Sequence, residues 1–155
     1  MHGEVPLETL EQWASSATPS LNYLAFHTAF VHPDDVPGLD DRRRLEICIG
    51  FFETALSGSY GDTLPEGPYV LAHTLLGWIR RLARSANAAD VAAMAEIMAM
   101  LERLARNGSD ATRDVIILGL LEHISEDQAT RQLFQHWTTD PVLAPLYEEA
   151  LRLGA

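Results

Sequence analysis

Ser109-Asp110-Ala111-Thr112-Arg113-Asp114-Val115-Ile116-Ile117-Leu118-Gly119-Leu120-Leu121-Glu122-His123-Ile124 is the stretch whose reading decides the fold. Ser109 or Asp110 can cap a helix by accepting from free N–H groups of its first turn. From Val115 to Leu121 every residue except Gly119 is apolar. A helix apolar on every side has to be covered on every side, which predicts a central helix over 109–124. The β-branched residues Val115, Ile116 and Ile117 leave a buried strand over 115–121 as the alternative. The capping residues and the helical periodicity on both flanks favour the helix.

Upstream of it, Asn107-Gly108 reads as the stop of a helix over 89–106 with Val91, Met94, Ile97, Met98, Leu101 and Leu104 on one face. Residues 68–86 open at Pro68 and carry Val70, Leu71, Leu75, Trp78, Ile79 and Leu82 as the apolar residues of a helix. Downstream, Ser125 with Gln128 reads as a capping box for a helix over 126–138, and Asp140-Pro141 as the start of one over 141–153. The pairs 68–86/89–106 and 109–124/126–138 are joined so tightly that they predict antiparallel hairpins, resembling a short α-solenoid.

Toward the N-terminus, residues 6–16 carry Leu7, Leu10, Trp13 and Ala14 on one face, and Glu4 and Glu8 lie near the positive end of that helix. Thr18-Pro19 opens a helix over 19–31, although Leu24, Phe26, Thr28 and Phe30 also alternate as in a strand. Asp40 or Asp41 caps a helix over 41–57, striped by Leu45, Cys48, Ile49, Phe52 and Leu56. Between it and Pro68 lies a loop over 57–67 with four glycine or proline residues. About seven helices with short joins predict a single all-α domain over 1–155, a helical bundle.

The 155 residues carry a net charge of -11, and all eleven cationic residues are arginine. Such a balance repels phosphate backbones, so neither nucleic acid nor an anionic membrane is expected as a partner. The absence of lysine excludes Schiff-base and P-loop lysine chemistry. The N-terminus, Met1-His2-Gly3-Glu4-Val5-Pro6, lacks the basic and apolar regions of a secretory leader, and no apolar run reaches membrane-spanning length. A cytoplasmic location is expected.

No nucleophile elbow, glycine-rich phosphate loop or Cys–His pair is present, so no enzyme and no cofactor is expected. The histidines lack the His-x-x-x-His or Glu-x-x-His spacing of helical metal sites, so no metal is expected either. His73, on a mostly apolar helix, reads as a core or boundary histidine. Cys48, the one cysteine, falls in an apolar stripe and reads as a buried structural thiol. Arg42, Arg43 and Arg44 sit in a first helical turn, which disfavours cations unless Asp40, Asp41 and Glu46 offset them.

Charge is uneven along the chain. Through residue 67 there are eleven acids and three arginines; beyond it, eleven acids and eight arginines. The candidate partner-binding residues follow from this: Asp34, Asp35, Asp40 and Asp41, with Asp62 and Glu66 beside Tyr60 in the 57–67 loop. Converging, they would form an acidic surface around a tyrosine, a side chain favoured at interfaces for its area and few rotors. The alternative for Tyr60 is that it folds back onto the domain.

The segment Ala111–Ile124, a charged turn leading into an apolar helix that ends Leu120-Leu121-Glu122, resembles small helical immunity proteins of bacterial polymorphic-toxin loci. The resemblance covers about residues 89–138. It implies a single-domain, cytoplasmic, non-enzymatic inhibitor of a cognate toxin and transfers no site residue. The expected function is thus neutralisation of a basic toxin by occlusion. A non-enzymatic helical adaptor or regulatory scaffold is the alternative.

Overall fold

Prolines and short polar side chains set most of the helix starts. In the computed structural model, which describes residues 3–154, α1 (Leu7–Ala14) follows Pro6, and α2 (Pro19–Val31) and α4 (Pro68–Ala83) begin on prolines whose missing N–H costs nothing there. Met1, His2 and Ala155, and with them part of the N-terminus read as lacking a leader, lie outside the described residues. α3 (Asp41–Leu56) is capped by the Asp40 side chain, which accepts from the Arg43 amide at 2.7 Å. α5 (Ala88–Asn107) is capped by Asn87, and α6 (Asp110–Gly119) by Ser109, which accepts from the Thr112 amide at 3.2 Å. α7 (Gln128–Leu133) and α8 (Ala144–Leu153) complete an all-α bundle, with 3₁₀ turns at Pro33–Asp35, Leu121–Glu126 and Gln135–Thr139. No helix among the described residues is long and apolar enough to cross a membrane.

Both stretches with a strand alternative, 24–30 and 115–121, contain no strand; the first lies in α2, and α6 extends to Gly119. The expected helix over 109–124 is shorter than predicted. It stops at Gly119, Leu120 leaves the helical region at φ -135°, ψ -64°, and a 3₁₀ turn follows. The break lets Leu120, Leu121 and Ile124 all face the core, each 0% exposed. The expected helix 126–138 is also divided. It starts after Asp127, whose carboxylate accepts the Thr130 hydroxyl at 2.6 Å, while the Ser125 carbonyl is held by Arg131; the Ser125 capping box does not form.

α4 and α5 pack together as expected. The second hairpin does not form, because the break at Leu120 sends α6 against α3, α4, α5 and α8 while α7 packs on α4. α6 is therefore the hub of a bundle, with one correction: Leu118 is 38% exposed, so it is not covered on every side. Gly119 is required by a close approach. A Cβ there would lie 2.8 Å from the Ala72 Cβ on α4.

The N-terminal half of the core is aromatic. Phe26 of α2 stacks on Phe51 of α3 at 4.3 Å, and Phe30, Phe52 and Trp78 continue the cluster onto α4. The C-terminal half is built from Ile97, Met100, Leu101, Ile116 and Trp137, all fully or almost fully buried. Cys48 is buried, and burial pushes its thiol up to about 12, as suits a structural residue.

Candidate binding surface

The three arginines at the start of α3 tie α3 to its neighbours. Arg42 pairs with Glu46 at 3.0 Å and with Glu96 of α5. Arg43 pairs with Glu11 of α1 and with Glu46 at 3.2 Å. The Arg43 hydrogen bond holds the Glu11 carboxyl below its usual range, against a smaller opposing effect of burial. Arg44 donates to the carbonyls of Ala29 (2.8 Å) and Phe30 (3.1 Å), capping the C-terminal turn of α2, where a cation suits the helix dipole.

With those cations engaged by Glu11, Glu46, Glu96 and the α2 carbonyls, several other carboxylates of the N-terminal part have no ion pair. Among the described residues, none of Glu4, Glu8, Asp34, Asp40, Asp41, Asp62 and Glu66 makes an ion pair, and Asp35 lies 4.0 Å from His32. The candidate acids form two groups rather than one. Asp34 and Asp35 occupy the turn after α2, and Asp40 and Asp41 the start of α3. The Val5 amide donates to the Asp35 carbonyl at 2.8 Å, which brings the N-terminus of α1, with Glu4 and Glu8, to this same end. Asp62 and Glu66 lie at the other end of α2. From Asn22, bonded to Tyr60, to His32, beside Asp35, the helix rises roughly 15 Å over ten residues.

Glu4 and Glu8 are the members of the acidic end that the sequence did not offer as candidates. Their signal was the hydrogen bond to Asp35, a contact thirty residues away in the chain.

Tyr60 folds back. Its ring stacks on Phe51 at 5.6 Å and its hydroxyl donates to Asn22 Oδ1 at 3.1 Å. Burial raises its phenol above the usual value. The loop turns sharply at Gly58, whose φ of +79° suits glycine. One edge of Tyr60 closes a groove of about 330 Å³ along α3, floored by Ile47, Gly50 and Phe51 and walled by Ala14, Asn22 and Arg43. Burial, and then the neighbouring Glu66, also raise the phenol of Tyr23, which places Glu66 beside this aromatic group.

Beyond residue 67 more of the acids are paired: Glu126 with Arg80 (3.1 Å), Asp127 with Arg84 (3.7 Å), Asp140 with Arg106 and Glu102 with His136, while Arg103 reaches back to Glu53 of α3 (3.1 Å). His73 is a surface residue rather than a core one, with its ring 4.9 Å from that of His123. Among the described residues, no group of three or more His, Cys, Asp or Glu side chains is placed to hold a metal ion.

The model of one family, a domain of unknown function (DUF7674), matches residues 45–152. No curated protein and no solved structure matches the chain. Asp34, Asp35, Asp40 and Asp41 precede the matched region, whereas Tyr60, Asp62 and Glu66 lie inside it. With 108 of its 155 residues in the match, the chain belongs to this family of domains of unknown function.

Proposed function

We propose that the chain is a non-enzymatic binding protein of the immunity type, acting in the cytoplasm, which neutralises a basic protein toxin by covering it with the acidic surface of its N-terminal part. The observation that carries this reading is the set of carboxylates without ion pairs, Asp34, Asp40, Asp41, Asp62 and Glu66 among them, beside arginines engaged in internal contacts. Like charges held together repel in the free protein, and a cationic partner relieves that repulsion. The same charges would speed encounter and make the complex salt-sensitive.

The test is affinity capture of the tagged chain from its native host at low and high salt, followed by expression of the captured protein with and without this chain. The expected result is a basic protein, released by salt, whose toxicity this chain relieves. Capture of no basic protein, or of one whose effect on growth is unchanged by co-expression, would contradict the proposal.

A second reading, the helical adaptor, is favoured by the open groove along α3. Charge reversal at Asp34, Asp35, Asp40 and Asp41 separates the two. Unchanged affinity and salt dependence would favour the adaptor.

A further inference from the structure

Between the first turns of α3 and α5, against α4, lies a cavity of about 90 Å³. Leu45 of α3, Leu82 of α4 and Ala93 of α5 give it apolar walls. Trp78 of α4 is a further wall. Its ring meets Phe30 edge-on at 5.4 Å and lies 6.1 Å from Phe52, so the aromatic core holds it in place. Asp41, Asp90 and Arg44 complete the polar part of the lining.

The charges of this lining do not cancel. Arg44 is bonded to the Ala29 and Phe30 carbonyls, at 2.8 and 3.1 Å. Arg81, three residues on from Trp78, has its guanidinium 5.8 Å from the Phe30 ring and does not line the cavity. Asp90 accepts the Ser85 hydroxyl at 2.6 Å, and capping of α3 falls to Asp40 rather than Asp41. Neither Asp41 nor Asp90 makes an ion pair among the described residues. Both stand in a first helical turn, where the helix dipole favours an acid. The dipole accounts for their sign but brings no counter-ion. Two carboxylates against one arginine leave the cavity anionic, and its apolar walls strengthen attraction by excluding water.

Size limits what can enter. At roughly 30 Å³ per water the cavity holds about three waters, far less than the ~300–1,000 Å³ of a small-molecule pocket. It has room for the end of one side chain. Apolar walls suit an aliphatic stem, and an indole beside carboxylates suits a cation. A guanidinium fits better than an ammonium, because its plane stacks on aromatic rings and its five N–H groups can serve two carboxylates.

We infer that this cavity receives one arginine side chain of the partner protein, with its guanidinium beside Trp78, Asp41 and Asp90. The inference rests on the acidic-surface reading above, to which Asp41 belongs, and adds Trp78 and Asp90 to that surface.

The test uses arginine capped as its N-acetyl methylamide, with capped citrulline as the uncharged isostere and capped lysine as the ammonium. Each is titrated at low salt into the isotope-labelled full chain and into its Asp41→Asn/Asp90→Asn variant, with binding followed by chemical shifts. The expected result is that capped arginine moves the Trp78 indole N–H and binds about tenfold tighter, or more, than capped citrulline. That advantage should vanish in the variant. Asparagine can still accept the Ser85 hydroxyl, so the variant should melt with the parent; if it does not, the arginine–citrulline comparison in the parent decides. Equal binding of arginine and citrulline, shifts that leave Trp78 unmoved, or an advantage that survives in a folded variant would overturn the inference. Tighter binding of capped lysine would overturn the choice of a guanidinium. The titration needs no partner, so its failure is separate from a failure to capture a basic protein, which is what overturns the acidic-surface reading.

Discussion

Beyond residue 67, Asp140 holds Arg106, Glu126 holds Arg80 and Asp127 holds Arg84. Before it, Asp34, Asp40, Asp41, Asp62 and Glu66 hold no cation among the described residues, and the three arginines are engaged by Glu11, Glu46, Glu96 and the carbonyls at the end of α2. The cores differ as well, aromatic around Phe26, Phe51 and Phe52 and mainly aliphatic around Ile97, Leu101 and Ile116. The contrast is in how the charges are used. Beyond residue 67 most acids are engaged in ion pairs. The N-terminal part is held by ring packing and by arginines that engage Glu11, Glu46 and the α2 carbonyls, while Asp34, Asp40, Asp41, Asp62 and Glu66 have no ion pair among the described residues.

The largest effect should come from Gly119→Leu, at the hub of the C-terminal part. The side chain would meet Ala72 on a backbone already in contact, and overpacking of this kind costs about 1–3 kcal/mol. A thermal melt should fall by several degrees; an unchanged melting point would show that α6 is not held tightly against α4.

Arg44→Met tests the N-terminal part. It removes two charge-assisted bonds to the Ala29 and Phe30 carbonyls, worth about 1–2 kcal/mol together. Hydrogen exchange should quicken at the His32 amide, the last of the α2 ladder, and stay unchanged in α5. Uniform quickening in both helices would mean the two parts respond as one unit to its loss.

Asp140→Asn tests the paired charges through pH. The hydrogen bond from Arg106, aided by the Val142 and Leu143 amides, pulls the Asp140 carboxyl down from 3.8 to about 2. Its folded-state value lies below its unfolded one, so its contribution is present above 3.8 and is lost as pH falls through 2. The variant should therefore be less stable than the parent at neutral pH, and the gap in denaturant midpoint should close on acidification. A gap independent of pH would show that the charge on Asp140 is not what the variant loses.

The smallest effect belongs to the carboxylates without ion pairs. Asp34→Asn/Asp62→Asn should change stability by no more than about 0.5 kcal/mol, in either direction. A loss as large as that of Asp140→Asn would remove the distinction between the two parts.

Local chemistry made most of the fold legible in the sequence. Pro19, Pro68, Asp40 and Ser109 mark helix starts because the capping group and the helix it serves are adjacent in the chain. The end of α6 was not legible. Over the six residues Leu121–Glu126, α and 3₁₀ spacing place nearly the same apolar side chains inward, so the periodicity does not mark the break. Ser125 and Asp127 are both good caps; Asp127 is held by the Thr130 hydroxyl and Arg84 and the Ser125 carbonyl by Arg131, contacts that spacing in the sequence does not show. In the site, the sequence showed which acids were candidates but not which had partners. Arg42 and Arg43 find Glu96 and Glu11 on other helices, fifty-four and thirty-two residues away. The division of the acids between the two ends of α2 follows from its packing on α3, a tertiary fact.

The most direct measurement is the salt dependence of binding between the captured partner and two forms of the chain, the parent and an Asp34→Asn/Asp35→Asn/Asp41→Asn/Asp62→Asn variant. None of these four side chains caps a helix or pairs with an arginine among the described residues. The expected result is a parent affinity that falls steeply with salt, and a variant that binds more weakly and with a shallower slope. Equal affinity and equal slope in the two would contradict the claim that the acidic surface of the N-terminal part recognises the partner.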